Sequence, residues 1–188
     1  MNTALILVDI QQDYFPQGRM ELVGSIEASR EAKRLLTYFR SNNLSIVHVQ
    51  HVSMKKGATF FLPGTEGINF HENITPINGE TIIEKHFPNS FRETNLNEYL
   101  ESKGVGELVI CGMMSHMCID ATVRAAFDKG YSCFVAHDAC ATRDLVFGGI
   151  DIPASHVHVA YMAALEAVYA KVQSAEENVG MLTKRLTA

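Results

Sequence analysis

The 188-residue chain contains no apolar run approaching the ~18 residues that a membrane-spanning helix needs, which excludes a helical membrane protein. It contains no basic run, and its formal charge is 16 − 21 = −5, which argues against a nucleic-acid partner. The start, Met1-Asn2-Thr3, lacks a basic n-region and a cleavage-like site, so no signal peptide is expected and the cytoplasm is the expected location. Cysteines number four, with no CxxC pair, which excludes a thiol redox motif and makes free thiols the expectation. The eight histidines include no HxxxH or HExxH spacing, so neither a metal nor any other cofactor is expected. Residues 9–18, DIQQDYFPQG, place acids where a nucleotide or flavin binder needs a glycine- or hydroxyl-rich phosphate loop. No internal repeat, low-complexity segment or linker interrupts the chain. With 47% hydrophobic and 20% charged residues, the length suits one globular domain spanning 1–188.

What is present is an alternation of short apolar runs and helix-period segments. Residues 4–8 (ALILV) form a continuous apolar run, the pattern of a strand buried on both faces. Further strands are expected over 44–52, 81–84, 107–111, 131–137 and 170–173. Helices are expected over 25–40, with Ser25 as N-cap, then 94–103, 117–129, 155–169 and from 174 onward. Residues 53–79 carry Gly57, Pro63, Gly64, Gly67 and Pro76 without a firm period and read as a long, functional loop. Six strands alternating with helices predict an α/β fold: three layers, a six-stranded mostly parallel sheet, helices on both faces. In such a sheet, ligands bind beyond the carboxyl ends of the strands, where strand order reverses.

Three reactive side chains fall at those ends. Asp9 follows the first strand, Lys85 the third, and Cys118 opens a helix a few residues after the fourth. Each has a bland use: a loop-entry carboxylate, a solvated lysine, a small buried hydrophobe. Together, with strands one and four as the central pair, they put an acid, an amine and a thiol in one cleft, within ~6 Å of each other. Lys85 and the helix N-terminus favour a Cys118 thiolate, and Asp9 can accept its proton and return it to a departing amine. Cys111 and Cys133 read as core residues, and Cys140 is ambiguous. His48 and His51, three apart on a strand, point to opposite faces.

The segments VDIQQDYF (8–15), EKHFPNSF (84–91), CGMMSHMCIDATVRAAFDKGY (111–131) and HDACATRD (137–144) resemble the isochorismatase-like cysteine hydrolases, which include nicotinamidases, N-carbamoylsarcosine amidase and streptothricin-hydrolase-like proteins. The resemblance covers nearly the whole chain. It implies a six-stranded parallel sheet, a catalytic triad of Asp9, Lys85 and Cys118, an oxyanion hole built from the amides of Met114 and Cys118, and a cis peptide at Met113–Met114. It implies cleavage of a C–N bond in a small-molecule amide through a thioester. The alternatives are the vinyl-ether chemistry of true isochorismatases, which carry another residue at the Cys118 position, and a silent oligomeric scaffold. Nicotinamidases hold a metal through an Asp-x-His pair, and here that stretch reads Val49-Gln50-His51, so the resemblance carries no metal with it.

Tyr14, Phe15, Phe60, Phe61, Phe87 and Phe91 either line an apolar slot for a flat substrate or seal the core, with Phe60 and Phe61 the preferred pair. His116 is either a pocket wall or structural. The long loop and the apolar C-terminal helix suggest surfaces needing cover. With the family's habit of assembling, they predict a homodimer or larger homo-oligomer.

Overall fold

In the computed structural model, which describes residues 2–186, β1 (Asn2–Val8) is the central strand. Its residues 4–8 are buried, because parallel neighbours flank it and helices cover both its faces. The remaining elements are α1 (Ser25–Ser41), β2 (Ser45–His51), β3 (Thr81–Lys85), α2 (Leu96–Ser102), β4 (Val105–Met113), α3 (Asp120–Asp128), β5 (Ser132–Ala141), β6 (Leu145–Phe147), β7 (Ile150–Ile152), α4 (Ala154–Glu166), β8 (Lys171–Gln173) and α5 (Ala175–Leu186). Six of the strands form one parallel sheet in the order β3-β2-β1-β4-β5-β8. The connection from β1 to β2 steps one way, and those from β3 to β4, β4 to β5 and β5 to β8 step the other. Right-handed crossovers therefore put α1 on one face and α2, α3 and α4 on the other, and α5 packs beside α1. This is the three-layer α/β architecture expected from the alternation of segments. Strand order reverses between β1 and β4. There Val8 pairs with Gly112, whose φ of 130° and lack of a Cβ let the chains approach; a Cβ would stand 2.0 Å from the Val8 carbonyl oxygen.

The structure departs from the expected elements in four places. Ser25 does not cap α1: Gly24, at φ 74°, turns the chain, and Ser25 is the first helical residue. The helix expected over 117–129 begins as a wider π-helical turn, Ser115–Ile119, before α3. Strand β5 runs to Ala141 rather than stopping at His137. It does so through a bulge that lets Cys140 pair with Gly112 while Asp138 Oδ1 accepts the Ala175 N–H at 2.8 Å, at the start of α5. Residues 145–152 form a β6–β7 hairpin on the two-residue turn Gly148-Gly149, both at positive φ. Among the described residues, no helix is long and apolar enough to cross a membrane.

The long loop over 53–79 is pinned to the loop after β1 by buried polar side chains. Asp13 Oδ2 accepts the Phe61 N–H at 2.6 Å and Oδ1 the Arg19 N–H at 3.1 Å. Gln11 donates Nε2 to the carbonyls of His51 and Ile68, both at 2.9 Å, and accepts the His51 N–H at 2.7 Å. The acids that exclude a phosphate loop are thus, in Asp13, the tie between two loops.

Candidate active site

Three adjacent strands each deliver one polar side chain to the same end of the sheet. Asp9 follows β1 in the left-handed region, φ 52°, with its N–H donated to the Val49 carbonyl at 3.0 Å. His51 ends β2 and Lys85 ends β3, and the two are paired in register. Cys118 arrives from the far side of the switch point, in the turn between β4 and α3. The Met113–Met114 peptide is cis. The Met114 carbonyl accepts the N–H groups of Met117 at 3.0 Å and Ile119 at 3.2 Å, the residues on either side of Cys118.

Lys85 Nζ lies 2.7 Å from Asp9 Oδ2, 3.0 Å from the Phe87 carbonyl oxygen and 3.1 Å from His51 Nδ1. Asp9 and Lys85 are 0% and 1% exposed, so solvent screens their pairing very little. Burial alone would lower the Lys85 pKa, but Asp9 and Cys118 outweigh it and raise it. A carboxylate oxygen of Asp9, a ring nitrogen of His51 and Cys118 Sγ lie within 4.8 Å of one another. Asp9 Oδ1 is buried and has no hydrogen-bond partner, which leaves it open to a proton.

The expectation of a resting thiolate at Cys118 is not met. Burial, and then the Asp9 carboxylate, push the thiol well above its ordinary value, and Lys85 only partly opposes them. Burial raises Cys133 and Cys140 to about 12 and pushes Cys111 well up as well, so a low resting pKa distinguishes none of the four. Cys118 differs in its neighbours: it alone stands beside both a carboxylate with an open oxygen and an ammonium.

Other residues singled out in the sequence fall in different places. Phe61 is fully buried, 5.8 Å from the His51 ring and 4.5 Å from Tyr14, and Phe60, half-buried, packs 5.0 Å from Phe61. Phe15 serves the core instead: its ring is buried and stacked on His71 at 3.8 Å. Phe91 is no part of the site. It stacks on Tyr131, which precedes β5, at the amino end of the sheet. His116, two residues before Cys118, is turned to Thr142 Oγ1 at 2.6 Å and to the Tyr161 ring. His48 and His51 do face opposite ways, and His48 meets Glu80 at 2.8 Å away from the site.

One site residue escaped the sequence reading: His51, whose only signal was the register that sets it beside Lys85. Tyr14, one of the aromatics that either line a slot or seal the core, is buried with its ring 4.5 Å from Phe61, and burial, then Cys118 and Asp9, push its phenol well up. Asp9, His51 and Cys118 form a metal-like donor set, yet the Lys85 ammonium already lies on Asp9 and His51, and a dication would have to displace it. The arrangement does not fit a metal.

The sequence model of the isochorismatase domain matches residues 3–177. The chain belongs to the isochorismatase family. This hydrolase is 52% identical over 176 residues to the isochorismatase family protein YddQ of Bacillus subtilis, covering 94% of this chain and 98% of that one. An isochorismatase crystal structure from Pseudomonas putida KT2440 superposes with a TM-score of 0.88 at 37% identity, over 94% and 89% of the two chains. A streptothricin hydrolase of Streptomyces noursei is 32% identical over 149 residues, covering 76% of this isochorismatase-family chain and 50% of that one.

Proposed function

We propose that this isochorismatase-family hydrolase cleaves a C–N bond of a small amide through a thioester on Cys118. The observation that carries the reading is the open Oδ1 of the Asp9 carboxylate in one cluster with the buried Cys118 sulfur, with Lys85 Nζ held 2.7 Å from Oδ2 of the same carboxylate. Because the resting thiol keeps its proton, attack and proton transfer run together. As Sγ adds to the substrate carbonyl carbon, the thiol proton passes to Asp9. The oxyanion is received by the N–H groups of Met114 and Cys118, a kind of contact worth about 3–4 kcal/mol of barrier when one donor is removed. Collapse breaks the C–N bond, and Asp9 returns the proton to the leaving amine. Water then gives a proton to Asp9 and attacks the thioester. The acid departs, and Cys118 recovers its proton from Asp9. Lys85 remains a cation throughout and offsets the charge that develops on sulfur and oxygen. Likeness to a nicotinamidase of Arabidopsis thaliana and a maleamate amidohydrolase of Pseudomonas putida, 29% and 25% identical, supports C–N chemistry for this site. The test is ammonia or amine release from a panel of small amides and ureido compounds, with Cys118→Ala alongside. Turnover of one class by the native protein and none by the variant is expected. Hydrolysis that survives Cys118→Ala overturns the assignment.

A further inference from the structure

Behind the turn that carries Cys118 stands a second set of polar side chains, separate from Asp9, Lys85 and His51. Ser115, the first residue of the π-helical turn, is 0% exposed. Its Oγ lies 2.9 Å from Nδ1 of His158, one turn into α4, and 3.3 Å from the Ala141 carbonyl oxygen at the end of β5. Next along the chain, His116 Nδ1 meets Thr142 Oγ1 at 2.6 Å. Met114, at the head of the turn, supplies no capping side chain, so the start of the turn is held from β5 and α4 instead. We propose that Ser115 and His158 are positioning residues: their contact holds the backbone of the turn so that the Met114 and Cys118 N–H groups face the reacting carbonyl. The inference rests on the hydrolase reading, with Cys118 as nucleophile and those two amides as oxyanion donors.

Counting donors and acceptors shows how the tie works. A serine hydroxyl has one proton to give and lone pairs with which to accept. With Oγ–H given to the Ala141 carbonyl, Nδ1–H of His158 donates to Oγ, and each of the three groups has a partner. Burial, and then the neighbouring His137, lower the His158 pKa, so at pH 7 its ring is neutral and Nε2 is bare. The tie spans three elements. Ala141 pairs with Met113 in the sheet, so register already fixes the strand that leads into the turn. His158 adds a brace from α4, whose first N–H is itself held by Asp144 Oδ1 at 2.7 Å. A π-helical turn is an uncommon conformation that its surroundings must hold. A small shift of this turn would leave the sulfur able to react but spoil the donor geometry an oxyanion needs.

The experiment compares two reactions of Cys118 in the full-length protein. Acylation by p-nitrophenyl acetate passes through a tetrahedral oxyanion: sulfur bonds to the acetyl carbon, the thiol proton goes to Asp9, and nitrophenolate leaves. Alkylation by iodoacetamide displaces iodide at a saturated carbon and forms no oxyanion. Ser115→Ala and His158→Leu should each slow acylation by roughly 10- to 100-fold. Both should leave alkylation within about twofold of native. His158→Asn, which can set an N–H near the Nδ1 position, should recover most of the acylation rate. Because the two residues act through one contact, the double variant Ser115→Ala, His158→Leu should be no slower than the slower single variant. Equal slowing of both reactions means a generally loosened fold and overturns the proposal. So does native-rate acylation in either single variant, a His158→Asn protein as slow as His158→Leu, or losses that multiply in the double variant. A native protein whose Cys118 is alkylated but never acylated fails the hydrolase reading and takes the proposal with it. The other failures leave that reading standing.

Discussion

A carboxylate, an ammonium and a thiol in a space shielded from water cannot be exchanged one at a time without consequence, and the consequences differ among the three. Cys118 is neutral at rest, so Cys118→Ala removes a reacting atom and strands no charge. The expected outcome is a loss of about 10³-fold or more in kcat with a thermal midpoint close to native. Cys118→Ser should lie near the same floor, because a hydroxyl is a far weaker proton donor to Asp9 than a thiol. Lys85→Met leaves the Asp9 carboxylate buried and unpaired. It should cost about 3–5 kcal/mol of stability as well as activity, read by urea unfolding. A Lys85→Met protein as stable as Cys118→Ala would mean that Asp9 is not held as a buried anion. Chelator treatment should leave activity unchanged, since Lys85 already supplies the cation that Asp9 and His51 face.

Among the elements, β1 and β4 tolerate no side chain where they meet. Gly112→Ala would set a Cβ 2.0 Å from the Val8 carbonyl and force φ 130° on a residue that avoids it, so the variant should be recovered unfolded or aggregated. Asp13 joins two loops through two charged hydrogen bonds, each worth about 1.5–3 kcal/mol, and Gly67 packs against its carboxylate. Between α1, β2 and β3, a cluster of Arg40, His48 and Glu80 makes the fold acid-sensitive. Burial would raise Glu80, but Arg40, the Ile77 N–H and His48 bring it down from 4.5 to about 2. Its folded pKa lies below its unfolded value, so its contribution is full above about 4.5 and is lost as pH falls toward 2. Burial lowers His48 despite Glu80, so protonation favours the unfolded chain once pH falls below 6.5. Urea midpoints should therefore decline from pH 7 to pH 3. Glu80→Gln should be weaker at pH 7 and show a shallower fall below pH 4.5. An unchanged slope would remove Glu80 from the account.

For the molecule as a whole, apolar exposure is greatest on one hairpin. The long loop buries Phe61 and Ile74 but leaves Met54 and Ile77 exposed, and α5 packs beside α1. The β6–β7 hairpin holds Phe147 81% exposed, with Val146 and Ile150 also outward, and Val159 of α4 is exposed nearby in sequence. A homo-oligomer using this face is the expected state, because a lone chain leaves these side chains in water. Light scattering at micromolar concentration should give at least a dimer, and Phe147→Asp should shift it toward monomer. A native monomer would refute the assembly.

The hairpin was itself legible, since LVFGGIDI carries a two-glycine turn between apolar triplets, and it went unread because each strand is only three residues long. Local pattern determined more elsewhere. The run ALILV, the glycine stops and the placement of Asp9, Lys85 and Cys118 after apolar strands were enough for a parallel sheet with these three side chains gathered at its carboxyl edge. Those features depend on periodicity and chain order, which a sequence displays directly. Tertiary structure decided the rest. His51 became a neighbour of Lys85 through the β2–β3 register, and Tyr14 came to the site while Phe15 beside it went to the core. Phe91 was carried to the opposite end of the sheet. The environment of Cys118 came last, because burial and the two opposed charges that bear on its thiol exist only once the strands have come together.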